Sequence, residues 1–153
     1  DFVRKGTGAR AENGRRRDGY GALRELEQAP GRLPPVPAEL PADYLPEARL
    51  RLELYRRLGM AATREEVDRI GEELKDRFGP PTPPAKRLLE LSRIRVEAEH
   101  RGIDRVESEG PILRLRRAGT ADQYWKQGSR FPRLTAGNAD RRLTEIRRIL
   151  ARL

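Results

Sequence analysis

The sequence has no cysteine, a single histidine and few aromatic side chains. The lack of cysteine excludes disulfides and thiolate metal sites, and His100 alone gives no basis for an imidazole metal site or a nucleophile-activating base. No apolar run approaches the roughly 20 residues that span a membrane, and the Gly- and Arg-rich start lacks the apolar core of a secretory signal. We therefore expect a cytoplasmic protein. Because the chain begins at Asp1 instead of methionine, we expect a piece of a longer protein.

Motifs for nucleotide and acyl-transfer chemistry are also missing. The sequence contains no G-x-x-x-x-G-K-[ST] phosphate-binding loop and no G-x-S-x-G nucleophile turn. Many carboxylates fall on one amphipathic stretch, residues 65–76, where they are more typical of a solvated helix face than of an acid–base pair. We therefore expect no enzyme activity and no cofactor.

The net charge of +9 is unevenly distributed. Residues 36–111 carry 14 basic and 16 acidic side chains, whereas residues 112–153 carry 11 and 3. The basic third could bind nucleic acid, or it could be a solvated arginine-rich surface, because its arginines are not interleaved with aromatic residues along the chain. The candidate nucleic-acid contacts are Arg114, Arg116, Arg117, Arg130, Arg133, Arg141, Arg142, Arg147 and Arg148.

Residues 1–35 are rich in glycine, proline and charge and poor in apolar side chains. Such a composition buries too little apolar surface to offset the entropy of ordering, so we predict a flexible basic arm or linker. Apolar residues alternate over residues 36–40, which favours an extended or edge-strand segment.

Three helices are predicted between residues 46 and 102. The first runs from Pro46 to about residue 58, with Leu52 beside its apolar row, and ends at Gly59. The second begins with a capping box, Thr63 and Glu66, and ends at Gly79. The third begins after the cap residue Thr82, with proline at its first position, and stops before residue 102.

The remaining sequence predicts a small sheet and a last helix. Strands are expected over residues 103–107, 112–117 and 130–135, with one helical turn over residues 120–127 that carries Tyr124 and Trp125. These two rings could form a stacking surface, but we favour their packing onto the sheet. Asn138 is a plausible cap for the last helix. The fold class is therefore α/β (α+β): a small mixed sheet packed with about four helices, as a single compact domain over residues 36–153.

One outward-facing group of charges is a candidate site. Glu73, Asp76 and Arg77 lie at i, i+3 and i+4 and share one face of the second predicted helix. They could be no more than an intrahelical Glu73–Arg77 pair, or they could dock onto a basic surface, where charge sets register and specificity. Spacing alone favours the simple ion pair.

Several motifs in one order give the sequence a family resemblance. These are LPADYLP from residue 40, RLELYRRL from residue 51, EELKDRFGPPTPPAKRLLELSRIR from residue 72, and GIDRVE from residue 102. In this order they resemble the C-terminal regulatory domain of bacterial transcription-repair coupling factors (Mfd). The resemblance covers residues 36–117 well, is weak over residues 118–153 and is nearly absent from residues 1–35.

The resemblance implies a function. The family's full-length protein is an ATP-dependent DNA translocase that displaces stalled RNA polymerase and recruits the repair protein UvrA, and its motor modules lie upstream. Its C-terminal domain is regulatory: it docks on the UvrB-like N-terminal module of the same protein, masks the UvrA-binding surface and restrains the motor. By motif match, Glu73, Asp76 and Arg77 would form the docking interface. We expect a monomeric, non-catalytic docking module.

Overall fold

A computed structural model describes residues 38–153, so the predicted arm over residues 1–35 lies outside the described part of the chain, as do Val36 and Pro37. The elements in chain order are α1 (Ala48–Met60), α2 (Arg64–Phe78), α3 (Pro83–His100), β1 (Ile103–Glu109), β2 (Ile112–Arg117) and α4 (Ala139–Ala151). The expected combination of about four helices with a small sheet is confirmed for the described residues. Residues 38–40, the described part of the predicted edge strand, form no strand. The Leu40 N–H donates instead to the Tyr55 hydroxyl, at 2.7 Å.

Helix α1 differs from its prediction at both ends. It begins at Ala48, after Pro46, and continues through Gly59 to Met60. The Ala61 N–H bonds to the Arg57 and Leu58 carbonyls and closes the last turn, so Gly59 is not the terminator. Leu54 and Leu58 are buried as expected, but Leu52 is 71% exposed, because it lies on the opposite side of the helix from Leu54.

Helix α2 follows its local signals closely. The Thr63 hydroxyl accepts from the Glu66 N–H at 3.2 Å and the Glu66 carboxylate accepts from the Thr63 N–H at 3.3 Å, which confirms the capping box. The helix ends at Gly79, whose φ of +82° is a conformation that glycine adopts without a Cβ penalty. The Tyr44 hydroxyl lies 2.9 Å from the Gly79 carbonyl oxygen, so residues before α1 also hold the end of α2.

Helix α3 lies between two hydrophobic clusters and contributes to both. Its first half packs with α1 and α2 through Leu88 and Leu89, and its second half packs with the sheet and α4 through Ile94 and Ala98. Burial against two neighbours explains why the apolar face of this helix is broad. Pro83 occupies the first turn as expected, but the Thr82 side chain makes no capping bond.

Strands β1 and β2 form an antiparallel pair in which Val106 lies opposite Leu115. Leu113 and Leu115 are fully buried, which places Arg114 and Arg116 on the outer face of the sheet. Helix α4 begins as predicted. The Asn138 side chain accepts hydrogen bonds from the Asp140 and Arg141 N–H groups, which confirms the predicted cap.

The chain between β2 and α4 does not follow the prediction. Residues 120–127 form no helical turn, and residues 130–135 form isolated bridges instead of a strand. Tyr124 pairs with Arg116 and Arg133 pairs with Ile112, so residues 123–134, which we call the edge segment, run along the free edge of β2. Between the two pairings a tight turn brings Gln127 opposite Arg130. The propensity of single residues did not reveal this non-local pairing.

Candidate functional site

The charged patch of α2 consists of Glu73, Asp76 and Arg77, and its most engaged member is Glu73. The Arg57 guanidinium, on α1, donates to both oxygens of this carboxylate, at 2.7 and 3.1 Å. Arg77 donates to the same carboxylate at 3.0 Å, so the intrahelical pair is confirmed. Glu73 therefore links α2 to α1 through Arg57 and binds a second guanidinium, that of Arg77, on its own helix. No spacing within one helix could have identified Arg57 as a partner of Glu73.

The ionisation of this group follows from its bonds. Hydrogen bonds from Arg57 hold the pKa of the Glu73 carboxyl below its ordinary value, and the bond from Arg77 acts in the same direction. The bond to Glu73 raises the pKa of Arg57 in turn. Both groups remain charged at neutral pH, so the pair is a fixed ionic link between α1 and α2.

The other two members of the patch face solvent. Asp76 is exposed and has no hydrogen-bond or ion-pair partner among residues 38–153. The Arg77 side chain is half exposed, and its guanidinium carbon lies 5.3 Å from the centroid of the Phe78 ring. The patch therefore presents one unpaired carboxylate next to one anchored guanidinium.

An open groove of about 610 Å³ lies beside the patch, between α1 and α2. Its apolar lining includes Met60, which is 75% exposed, together with Ala61 and Ile70. Arg57, the partner of Glu73, also lines it, so the groove adjoins the charged patch. Its lining contains no pair of catalytic groups in contact with each other.

The nine candidate nucleic-acid arginines divide into two groups. Four of them are engaged within the domain. Arg114 pairs with Glu109 at 3.0 Å and Arg116 with Asp104 at 2.8 Å, both on the outer side of the sheet. Arg142 donates to the backbone carbonyls of Gly110 and Ala136, and Arg147 lies 2.7 Å from a Glu90 oxygen on α3. These four side chains are thus engaged in contacts within the domain.

The other five arginines are exposed and have no ion-pair partner within residues 38–153. They are Arg117, Arg130, Arg133, Arg141 and Arg148. Three of them lie along or next to the edge segment, and two lie on one exposed face of α4. The structure therefore does not gather all nine into one surface.

Residues 38–153 contain no cluster of His, Asp and Glu side chains that could hold a metal ion. His100 is exposed in the last turn of α3. None of the helices in the same range combines the length and apolar content that crossing a bilayer would require.

Comparison with known proteins identifies relatives. The family model of the TRCF domain matches residues 35–124. The transcription-repair-coupling factor of Escherichia coli (strain K12) is 34% identical over 95 residues, which make up 61% of this chain and 8% of that protein. The factor of the same name from Mycobacterium bovis is 46% identical over 69 residues, or 45% of this chain and 6% of that protein.

A solved structure agrees with these matches. The crystal structure of the C-terminal domain of transcription-repair coupling factor covers 57% of this chain and 54% of its own, with a TM-score of 0.52 and 24% identity, which shows a shared fold. The match is to a C-terminal domain and not to a motor domain, and the chain spans less than a tenth of the curated relatives' length. Since the family model covers more than half of the chain and the motif resemblance falls on the same residues, the chain belongs to the TRCF domain family.

Proposed function

We propose that this chain is the autoinhibitory docking module of a DNA translocase that acts in transcription-coupled nucleotide excision repair in the cytoplasm. It clamps onto the UvrB-like N-terminal module of its own parent protein through Glu73, Asp76 and Arg77. The clamp masks the surface that binds UvrA and restrains the motor, while the parent engages RNA polymerase and DNA through other modules. The chain itself carries out no chemistry.

The observation that carries this proposal is the unequal engagement of the three patch residues. Glu73 is held by Arg57 and Arg77, so the patch lies on α2 and is tied to α1 by one ion pair. Asp76 has no partner within residues 38–153 and is therefore available to a cation on another surface. Pre-organised charge favours a specific register, and its exposure keeps the contact salt-sensitive and reversible.

Reversibility matters because autoinhibition is a population shift between closed and open states. A clamp that contributes a few kcal/mol keeps the closed state dominant, and each loss of about 1.4 kcal/mol changes the ratio of closed to open tenfold. A small charged interface of this kind is weak enough for a partner to displace. A large apolar interface would not release in the same way.

The proposal is tested by reversing the charge of Asp76. Asp76→Lys should weaken binding of this chain to the isolated UvrB-like module by about tenfold, measured by titration calorimetry at low salt, because one attractive contact becomes repulsive. In the full-length parent, the same change should raise basal ATPase activity and UvrA binding. Asp122→Lys is the matched control, since Asp122 is an exposed carboxylate outside the patch.

Asp76 is a better probe than Glu73 because a change at Glu73 also removes the link between α1 and α2. Equal affinities for Asp76→Lys, Asp122→Lys and the unmodified chain, all folded by circular dichroism, would refute the docking assignment. Equal loss in both variants would indicate general charge attraction without a specific patch.

A further inference from the structure

The edge segment brings together aromatic rings that the sequence keeps apart. Its two ends pair with opposite ends of β2: the Trp125 N–H donates to the Leu115 carbonyl at 2.8 Å, and the Leu113 N–H donates to the Pro132 carbonyl at 2.9 Å. The segment contains more residues than the stretch of β2 that it accompanies, so its middle bulges out as a turn closed by Gln127 and Arg130. Tyr124 and Phe131 lie on the two sides of this bulge.

These two rings form an edge-to-face pair, with centroids 6.2 Å apart and planes inclined by 82°. Both are partly exposed. The Lys126 ammonium lies 5.2 Å from the centroid of the Phe131 ring, and the Arg114 guanidinium lies 5.7 Å from it. Cations at this distance from a ring are attracted to its face, so the pair is held in place among positive charges. The third ring, Trp125, packs into the cluster beneath the sheet.

Most charges along the edge segment are positive, whereas Arg114, which lies over the Phe131 ring, is paired with Glu109 at 3.0 Å. Lys126, Arg130 and Arg133 are exposed and form no ion pair within the described residues, and Arg117 at the end of β2 is equally free. Asp122 is the single acidic residue between Ile112 and Asn138. Aromatic and basic side chains already alternate along residues 124–133, and the fold adds the contact between Tyr124 and Phe131.

We propose that the edge segment binds single-stranded nucleic acid, with a base stacked on Tyr124, which the edge-to-face contact with Phe131 holds in place, and the backbone phosphates on Lys126, Arg130 and Arg133. Stacking on an aromatic ring requires an unpaired base, because the faces of bases in a duplex are covered by their neighbours. Phosphate attraction alone would serve duplex and single strand alike. The aromatic pair therefore favours the single strand. This site is separate from the α2 patch and does not depend on the docking proposal.

The test measures fluorescence anisotropy of a labelled oligothymidine of about 15 nucleotides, a length that covers one such site. The full 153-residue chain should bind it more tightly than the corresponding duplex. Three neutralised phosphates predict a slope of about −2 for the logarithm of the binding constant against the logarithm of the salt concentration. Phe131→Leu and Tyr124→Leu keep apolar volume and remove stacking, so at least one should weaken binding about fivefold or more.

A pair of charge-matched variants separates a site from diffuse attraction. Lys126→Gln/Arg133→Gln removes two charges from the edge segment, whereas Arg141→Gln/Arg148→Gln removes two unpaired charges from α4. All four side chains are exposed, so both variants should fold, which thermal unfolding verifies. The first variant should lose at least about tenfold more affinity than the second. Equal losses, tighter duplex binding, or unchanged affinity in both leucine variants would each overturn the proposal.

Discussion

The two halves of this domain differ in their balance of charge. In the half built from α1, α2 and α3, charged side chains are paired across helices, as in Arg57–Glu73 and Arg93–Asp68. In the half built from β1, β2, the edge segment and α4, basic residues exceed acidic ones, and several arginines have no partner within the described residues. The difference teaches that net charge does not by itself identify a binding surface. In the first half the informative group is one unpaired carboxylate, and in the second it is the arrangement of unpaired cations around two rings.

The two halves share helix α3, which couples them mechanically. Its partners include α4, to which it is linked by the Arg87–Asp140 pair at 2.7 Å and by the Arg147–Glu90 contact at 2.7 Å. Because each hydrophobic cluster needs α3 in place, we expect both halves to unfold in one transition. Variants in either half are then comparable on a single scale of unfolding free energy.

The largest effect is expected at Arg95, a charged residue inside the first half. Its side chain is 7% exposed and donates to the carbonyls of Leu58 and Ala61, at 2.9 and 2.7 Å, and so caps the end of α1. Arg95→Met keeps most of the apolar volume but leaves these carbonyls without that donor. We expect a loss of about 2–3 kcal/mol in the free energy of unfolding, measured by urea denaturation.

Arg95→Lys sharpens this prediction, because an ammonium retains the charge but cannot reproduce the planar fork of a guanidinium. It should lose an intermediate amount. Lys86→Ala, at an exposed position on the same helix, is the control and should stay within about 0.5 kcal/mol of the unmodified chain. If Arg95→Met were as stable as that control, the hydrogen bonds from Arg95 to the end of α1 would not stabilise the first half of the domain.

The helices could be predicted from the sequence because their signals are local. The capping box, Gly79 and the Asn138 cap are signals that depend only on residues near them in sequence, and all three mark helix ends in the structure. The predicted end of α1 at Gly59 was wrong, because the hydrogen bonds that close its last turn, from the Ala61 N–H to the Arg57 and Leu58 carbonyls, do not require glycine. The helical turn and strand predicted over the edge segment were wrong, because the conformation of this segment depends on pairing with β2, which no local pattern encodes.

In the candidate site, too, contacts within one helix could be predicted from the sequence and contacts between helices could not. The spacing of Glu73 and Arg77 gave their contact correctly, since both lie on one helix. The spacing could not give Arg57 as the main partner of Glu73, because that contact depends on how two helices pack. The contacts of Arg95 with the Leu58 and Ala61 carbonyls depend in the same way on how two helices pack, so no local pattern indicates them. The ring pair of Tyr124 and Phe131 depends in the same way on the course of the edge segment.

A smaller effect separates Glu73 from Asp76 within the patch. Glu73→Gln removes the charge that holds two guanidinium groups and should cost roughly 1 kcal/mol of unfolding free energy, since the contact is partly exposed but bidentate. Asp76→Asn should change stability by less than about 0.5 kcal/mol, because Asp76 has no partner among the described residues. Chemical denaturation of both variants at neutral pH and low salt measures the difference. A larger cost at Asp76 than at Glu73 would contradict the division of the patch into a structural and a free carboxylate.

The smallest expected effect is the pH dependence of that difference. The pKa of Glu73 is lowered in the folded state by its bonds to Arg57 and Arg77, so its stabilisation is fully present above the ordinary carboxyl pKa of about 4.3 and is lost as pH falls through the lower folded value. The gap in unfolding free energy between the unmodified chain and Glu73→Gln should therefore shrink by roughly 0.5 kcal/mol between pH 7 and pH 3.

Glu145→Gln probes the second half, where burial of Glu145 opposes ionisation but bonds from the Thr135 and Ala136 N–H groups still lower the pKa of its carboxyl. High salt should weaken the Glu73 gap more than the Glu145 gap, because only Glu73 is held mainly by side-chain cations. A Glu73 gap that is constant from pH 7 to pH 3 would mean that its charge does not stabilise the junction of α1 and α2.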